Sequence, residues 1–230
     1  MNRIHPTAII DSTVQLGDGN TIGPYAVLLG NCVIGDGNWI GPHAAIGTPA
    51  QMRGGPHPAT WDGEATDAAI VIGSRNVIRE FSTIHSGTSA TTTVGDDCYF
   101  MTQAHVPHDA TIEDQVTLSN SAQLGGHTII QTGANIGLGA VVHQRSLVGT
   151  RAMVGMGSVV TKPVPPFGMC YGSPAKVRGG NVVGMRRAGI EEDLIERIVE
   201  ALNAGDDSGL AELIPTEFAR FVAAARSLDH

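Results

Sequence analysis

The stretch Leu118-Ser119-Asn120-Ser121-Ala122-Gln123-Leu124-Gly125-Gly126-His127-Thr128-Ile129-Ile130-Gln131-Thr132-Gly133-Ala134-Asn135-Ile136-Gly137-Leu138-Gly139-Ala140-Val141-Val142 decides the fold. Aliphatic residues stand at Leu118, Leu124, Ile130, Ile136 and Val142, in steps of six. The same register runs back through Ile112, Val106, Phe100 and Val94 and forward through Val148, Val154 and Val160. It holds at Ile72, Ile78 and Ile84, and again over Ile4, Ile10, Leu16, Ile22, Leu28, Ile34, Ile40 and Ile46. Gly often follows directly, as in Ile22-Gly23 and Val154-Gly155. A period of six fits neither an amphipathic helix nor an alternating strand. It fits a short strand plus a turn, and three such units close an 18-residue triangular coil. Coils then stack at about 4.8 Å, the spacing of hydrogen-bonded strands, with the aliphatic ladders inside. The expectation is an all-β solenoid, a parallel β-helix, in which Gly and Asn at the corners supply the unusual backbone angles.

Two interruptions break the register. Residues 48–69 are rich in Gly, Pro and Thr and contain Trp61, and residues 86–93 form a shorter Gly/Ser/Thr segment. Long loops inside a solenoid usually serve function or touch a neighbouring chain. The repeat stops at Lys162-Pro163-Val164-Pro165-Pro166, which assigns residues 1–180 to the β-helix. Residues 181–230 read as a helical tail that caps the open end of the coil. Apolar residues fall at helical spacing between Ile190 and Leu202, and a second helical stretch covers about 209–228 with Pro215 near its start.

Composition narrows the function classes. Hydrophobic residues make up 42% of the 230, aromatics only 4%, and there are 30 glycines, which suits stacked aliphatics with many tight turns. The net charge of −8 argues against a nucleic-acid partner, and an acidic carrier protein would need a local basic patch. Cys32, Cys98 and Cys170 are widely spaced without a CxxC pair, as expected of buried or free thiols in a reducing compartment. No apolar signal core and no run of about 18 apolar residues is present, so the expectation is a cytoplasmic protein without membrane insertion.

The polar residues that stand out are His85, His105, His108, His127 and His143. Residues 18 apart stack on successive coils, so His108, Gly126 and Gln144 form one column. Asp109 and His127 form the next, and Pro107, Gly125 and His143 the one before. A base, an accessible backbone N–H and a polar side chain in a line are what acyl transfer to a hydroxyl requires. Zinc held by His105, His108 and His127 between chains, as in carbonic-anhydrase-like trimers, is a competing reading of the same residues. An inactive binding solenoid is another.

At these residues the sequence resembles the UDP-N-acetylglucosamine 3-O-acyltransferases that open lipid A synthesis. The matching segments are His5-Pro6-Thr7-Ala8-Ile9, Ile78-Arg79-Glu80-Phe81-Ser82-Thr83-Ile84-His85-Ser86-Gly87-Thr88, Ala104-His105-Val106-Pro107-His108-Asp109, Leu124-Gly125-Gly126-His127, Val142-His143-Gln144 and Asn181-Val182-Val183-Gly184-Met185-Arg186-Arg187. The resemblance implies a left-handed β-helix and a homotrimer that needs no cofactor. It implies a 3-hydroxyacyl donor on acyl carrier protein and a UDP-amino-sugar acceptor. It makes His108 the general base, Asp109 its support and the Gly126 N–H the oxyanion donor. His85, His105, His127, His143 and Gln144 would line the substrate cleft, with Gln51, Asn181 and Arg187 on the sugar nucleotide. Met156 falls at the position that limits acyl length, which implies a medium chain. Met52, Val183 and Ala188 depart from the family pattern, all on the sugar-nucleotide side. A different nucleotide-sugar acceptor, N-acylation and an acyl-CoA donor therefore stand as alternatives.

Overall fold

A computed structural model describes residues 1–55, 57 and 69–228. The repeat folds as a left-handed parallel β-helix with three flat faces. The first face carries ten strands, from Arg3–Ile4 to the terminal pair Gly168–Gly172 and Ala175–Gly180. The second carries eight, from Ile9–Ile10 to Val159–Val160, and the third seven, from Gln15–Leu16 to Leu147–Val148. Register follows the sequence period. Thr117 pairs with Asn135 and Gln123 with Val141, each 18 residues on, while Val77 pairs with Tyr99 because four extra residues intervene at 86–93.

The aliphatic ladder fills the interior. Ile22 through Val160 in the six-residue register are all buried. Ile4 is 47% exposed, and Ile10 and Leu16 are half-buried, because no coil stacks beneath them. Two positions before the aliphatic, the inside of a corner usually holds a small side chain, although Ile70 and Val116 also fit there. Ala26, Ala44, Ala104, Ala110, Ala122, Ala134, Ala140 and Ala152 occupy it, as do Cys32 and Cys98. Cys32, Cys98 and Cys170 are free and buried, and burial pushes the Cys32 thiol up to about 12.

The corners correct one expectation. Left-handed backbone there is carried by residues such as Tyr25, His43, Phe81, Gln103, Asp109, His127 and Arg145 as well as by glycine, and by no asparagine among the described residues. Asparagine instead builds an internal ladder. Asn20, Asn38 and Asn76 are buried, each side-chain oxygen accepting the N–H of the next coil, from Asn38, Asn76 and Cys98 respectively. Apart from Gly47, which has φ 89°, glycine after a register aliphatic serves close stacking rather than unusual angles. A Cβ on Gly23 would lie 2.9 Å from the Pro42 nitrogen of the coil above.

The tail differs in detail from its expected outline. The helical stretch expected over about 209–228 consists of two helices, because Pro215 opens a helix rather than sitting inside one. Lacking an N–H, proline is tolerated at a first helical position. The helices are α1 (Val182–Arg187), α2 (Glu192–Ala204), α3 (Asp207–Leu213) and α4 (Pro215–Leu228). Met185, Ile195, Ile198, Ala201, Leu202, Leu210 and Ile214 pack with Phe167 into a second small core over the end of the coil. Most of the excursion expected at 48–69, Trp61 included, lies outside the described residues. No helix among them is long and apolar enough to cross a membrane.

Candidate active site

The edge between the second and third faces gathers the polar residues. His105 opens the strand His105–Val106 on the second face, and the chain then turns through Pro107, His108 and Asp109 onto Thr111–Ile112 of the third. One coil on, His127 N–H donates to the His108 carbonyl at 3.2 Å, and Arg145 N–H donates to the Gly126 carbonyl at 2.9 Å. The His108 ring lies over Gly126: a Cβ there would be 2.6 Å from His108 Cε1 and 2.8 Å from Nε2. The column expected from the period is thus a physical contact, made possible by the missing side chain. No hydrogen bond among the described residues uses the Gly126 N–H.

Asp109 fixes the histidine. Its carboxylate is wholly buried, and His108 Nδ1 donates to Oδ2 at 2.7 Å. An acceptor-only carboxylate requires the proton on Nδ1, which leaves the Nε2 lone pair free to take a proton. The His108 side chain keeps 18% exposure, enough for a reactant to reach it. His127 stands edge-on to His108 at 5.3 Å between centroids, with Nε2 3.6 Å from Asp109 Oδ2. Burial alone would raise the Asp109 pKa. Hydrogen bonds from Thr88, His108 and Ala90 win, and hold the carboxyl well below the usual carboxylate range.

Three further histidines have lowered pKa values. Burial, aided by repulsion from His105 and His108, pushes His85 down to about 4. Its Nδ1 is buried without a partner, and its ring meets His105 edge-on at 4.9 Å. Burial, then His108, lowers His105, whose Nδ1 lies 2.8 Å from Thr83 Oγ1. His127 is also lowered, by burial first and then by Arg145 and His108 against the pull of Asp109. His143, one column over, is exposed beside Gln144, its Nδ1 2.9 Å from the Gln144 carbonyl.

Within one chain, the described residues do not bring His105 together with His108 and His127 as a ligand group. His108, Asp109 and His127 bring ligand-capable atoms within 4.8 Å of one another, whereas His105 turns to Thr83. Within the trio, Asp109 Oδ2 is already engaged by His108 Nδ1 and by the Thr88 hydroxyl, the pattern of a hydrogen-bonded His–Asp couple.

Of the other expected residues, Gln51 follows the same edge as His108, and the rest lie elsewhere on the prism. Gln51, with Met52 and Arg53, is exposed just beyond the second-face strand Ala45–Thr48. Met156 is 74% exposed on the edge between the first and second faces. Asn181 and Arg187 sit past the third edge. Asn181 N–H donates to the Phe167 carbonyl, its Oδ1 caps α1 by accepting from Gly184 N–H at 3.0 Å, and its Nδ2 donates to the Arg151 carbonyl at 2.9 Å. Arg187 is exposed in the last turn of α1. Within one chain, three groups of expected site residues thus occupy three different edges.

Residue-by-residue reading of the sequence missed Thr88, Ser89, Ala90 and Thr92. The first three donate to the Asp109 carboxylate, and the Thr92 hydroxyl accepts the Asp109 N–H at 2.9 Å. Their signal was the four-residue slip of the register immediately ahead of the His–Asp coil.

Comparison with known proteins gives the family and the fold. The family model described as Udp N-acetylglucosamine O-acyltransferase; Domain 2 matches residues 164–211. Acyl-[acyl-carrier-protein]–UDP-N-acetylglucosamine O-acyltransferases of Burkholderia multivorans and Paraburkholderia phytofirmans are 45% and 43% identical, each aligned over 92% of this chain and 86% of their own. A UDP-N-acetylglucosamine acyltransferase structure from Campylobacter jejuni superposes with a TM-score of 0.81 at 26% identity, covering 95% of this chain and 94% of that one. The Moraxella catarrhalis UDP-N-acetylglucosamine O-acyltransferase gives 0.78 at 28%, covering 98% and 96%. The chain belongs to the acyl-[acyl-carrier-protein]–UDP-N-acetylglucosamine O-acyltransferase family.

Proposed function

We propose that this protein transfers a medium-length 3-hydroxyacyl group from the thioester of acyl carrier protein to the 3-hydroxyl of UDP-N-acetylglucosamine. The observation that carries the reading is the His108 ring, tied to buried Asp109 and lying against Gly126. His108 Nε2 takes the proton from the sugar hydroxyl as its oxygen attacks the thioester carbon. The Gly126 N–H stabilises the oxyanion that forms, an interaction worth about 2.7–4 kcal/mol in acyl-transfer enzymes. Collapse breaks the carbon–sulfur bond, and the departing thiolate recovers the proton from His108. Asp109 stays ionised and keeps the imidazole in the right tautomer throughout. His85, His105, His127, His143 and Gln144 line the cleft. Gln51, Asn181 and Arg187 serve the sugar nucleotide, where the planar fork of Arg187 suits a phosphate.

The active assembly is a homotrimer packed through the second face. That face and its edge expose Ile9, Leu138, Val141 and Met156, apolar side chains that closed cyclic association would cover. Packing about this face sets the edge bearing Met156 beside a neighbour's edge bearing His108, so the acyl chain runs along the seam and stops at Met156. Met52 and Val183 are exposed and Ala188 caps α1, so the residues expected to depart from the family pattern lie on the sugar-nucleotide side of this reading. Mass spectrometry of products from a panel of carrier-protein and CoA donors against UDP-sugars tests the whole reading. Ester formation on UDP-N-acetylglucosamine from a carrier-protein donor is expected. Amide products, or turnover only with CoA donors, would refute it.

A further inference from the structure

We propose that Thr88, in the short insertion at 86–93, is a positioning residue for acyl transfer that holds the Asp109 carboxylate in the one orientation presenting Oδ2 to His108. The proposal rests on the reading of His108 as the base.

The insertion folds down onto the next coil. Gly87 makes the tight turn, since a Cβ there would lie 1.7 Å from the Ala90 carbonyl oxygen. Three successive N–H groups then converge on Asp109 Oδ1: Thr88 at 2.7 Å, Ser89 at 3.0 Å and Ala90 at 2.8 Å. The Thr88 hydroxyl donates to Oδ2 at 2.6 Å, alongside His108 Nδ1 at 2.7 Å. Asp109 has left-handed backbone at φ 59° and is further pinned by its own N–H to the Thr92 hydroxyl.

This arrangement solves two problems at once. A buried carboxylate without donors would take up a proton and cease to accept from His108. A lysine or arginine would keep it charged, but would compete with His108 for the same oxygens. Among the described residues no lysine or arginine pairs with Asp109, and its ionic neighbours are His108 and His127 alone, with the charge of Arg145 felt by His127. Neutral N–H and O–H groups of the insertion stabilise the charge instead. The three Oδ1 bonds fix where the carboxylate sits, and the Thr88 hydroxyl fixes its rotation. Without that hydroxyl, Oδ2 can swing toward His127 Nε2, now 3.6 Å away, and His108 loses its orientation.

The test is Thr88→Val, with Thr88→Ser as the hydroxyl-retaining control and Thr88→Ala if the valine branch disturbs folding. Thr88→Val or Thr88→Ala should lower kcat about ten- to hundredfold, the value of one charge-assisted hydrogen bond, with both KM values within about twofold. Thr88→Ser should restore most of the rate. An unchanged kcat, or a loss that serine does not restore, would overturn the proposal. A second readout needs no turnover, so it separates this proposal from the choice of substrates. In protein carrying 15N-labelled histidine, His108 should be protonated on Nδ1 in the parent and in Thr88→Ser, and should become a mixture of tautomers in Thr88→Val. Identical His108 spectra in all three would also overturn it.

Discussion

Gly126→Ala isolates the part of the mechanism that depends on packing. The substitution keeps the N–H expected to hold the oxyanion, and Gly126 does not have left-handed backbone, so alanine meets no conformational penalty there. Its Cβ, however, would stand 2.6 Å from His108 Cε1. Ordinary contact between carbon atoms is roughly 3.5 Å or more. The ring must therefore withdraw by close to an ångström, and it has little freedom to do so. Nδ1 is held at 2.7 Å by a carboxylate that is itself clamped, and His127 stands against the ring at 5.3 Å between centroids. A catalytic group displaced by about 1 Å loses roughly a hundredfold in rate, close to 2.7 kcal/mol of activation free energy. Overpacking should take about 1–3 kcal/mol from stability, so the variant should still fold. The assay is steady-state transfer from an acyl-carrier-protein thioester to UDP-N-acetylglucosamine, with thermal melts run in parallel. The reasoning predicts kcat down about a hundredfold in a folded protein. A folded Gly126→Ala with kcat within threefold of the parent would refute the claim that this contact sets the base.

Met156→Gly should shift donor preference toward longer acyl chains, read by competition among carrier-protein thioesters of different lengths, and an unchanged preference would remove Met156 from the acyl seam. His85 makes the fold acid-sensitive in a defined window. Its folded pKa of about 4 lies below the unfolded value of 6.5, so the stability that it contributes is full above pH 6.5 and drains as pH falls toward 4. At about 1.4 kcal/mol per pKa unit the loss is on the order of 3 kcal/mol, with His105 adding in the same direction, and denaturant unfolding at pH 7 and pH 4.5 should show it shrink in His85→Asn. Asn38→Ala should cost several kcal/mol in the same unfolding assay. It strips the acceptor from the Asn76 N–H and the donor from the Gly73 carbonyl, both inside the coil, at about 1–3 kcal/mol for each group left unpaired. A change below 1 kcal/mol would mean that water replaces the ladder.

Much of this was legible in the sequence because a solenoid translates distance along the chain into distance in space. Eighteen residues are one coil, so His108, Gly126 and Gln144 had to stack, and the aliphatic register had to point inward. What the period hides is anything that does not repeat. The clamp on Asp109 comes from an insertion, whose residues have no register to be counted by. The corner backbone misled because a left-handed angle costs little enough for Asp109, His127 or Phe81 to adopt when the coils on either side enforce it. Asparagine was therefore free for the interior, where its amide can satisfy backbone groups of two coils. The helical stretch expected across 209–228 is divided at Pro215 for a local reason, since proline's missing N–H marks a start more readily than a middle. The separation of Met156 from His108 onto different edges was implicit in the same arithmetic, whereas Asn181 lies past the end of the repeat and could not be counted that way.

The most direct measurement is the single-turnover rate of His108→Ala, with a 3-hydroxyacyl carrier thioester and UDP-N-acetylglucosamine, and the product identified by mass spectrometry. The parent should form the ester on the sugar 3-hydroxyl. The variant, folded and still binding the sugar nucleotide, should be slower by about 10²–10⁴, the usual contribution of a positioned general base. Transfer by His108→Ala at the rate of the parent would contradict the account, because the column of His108, Asp109 and Gly126 would then not perform the reaction.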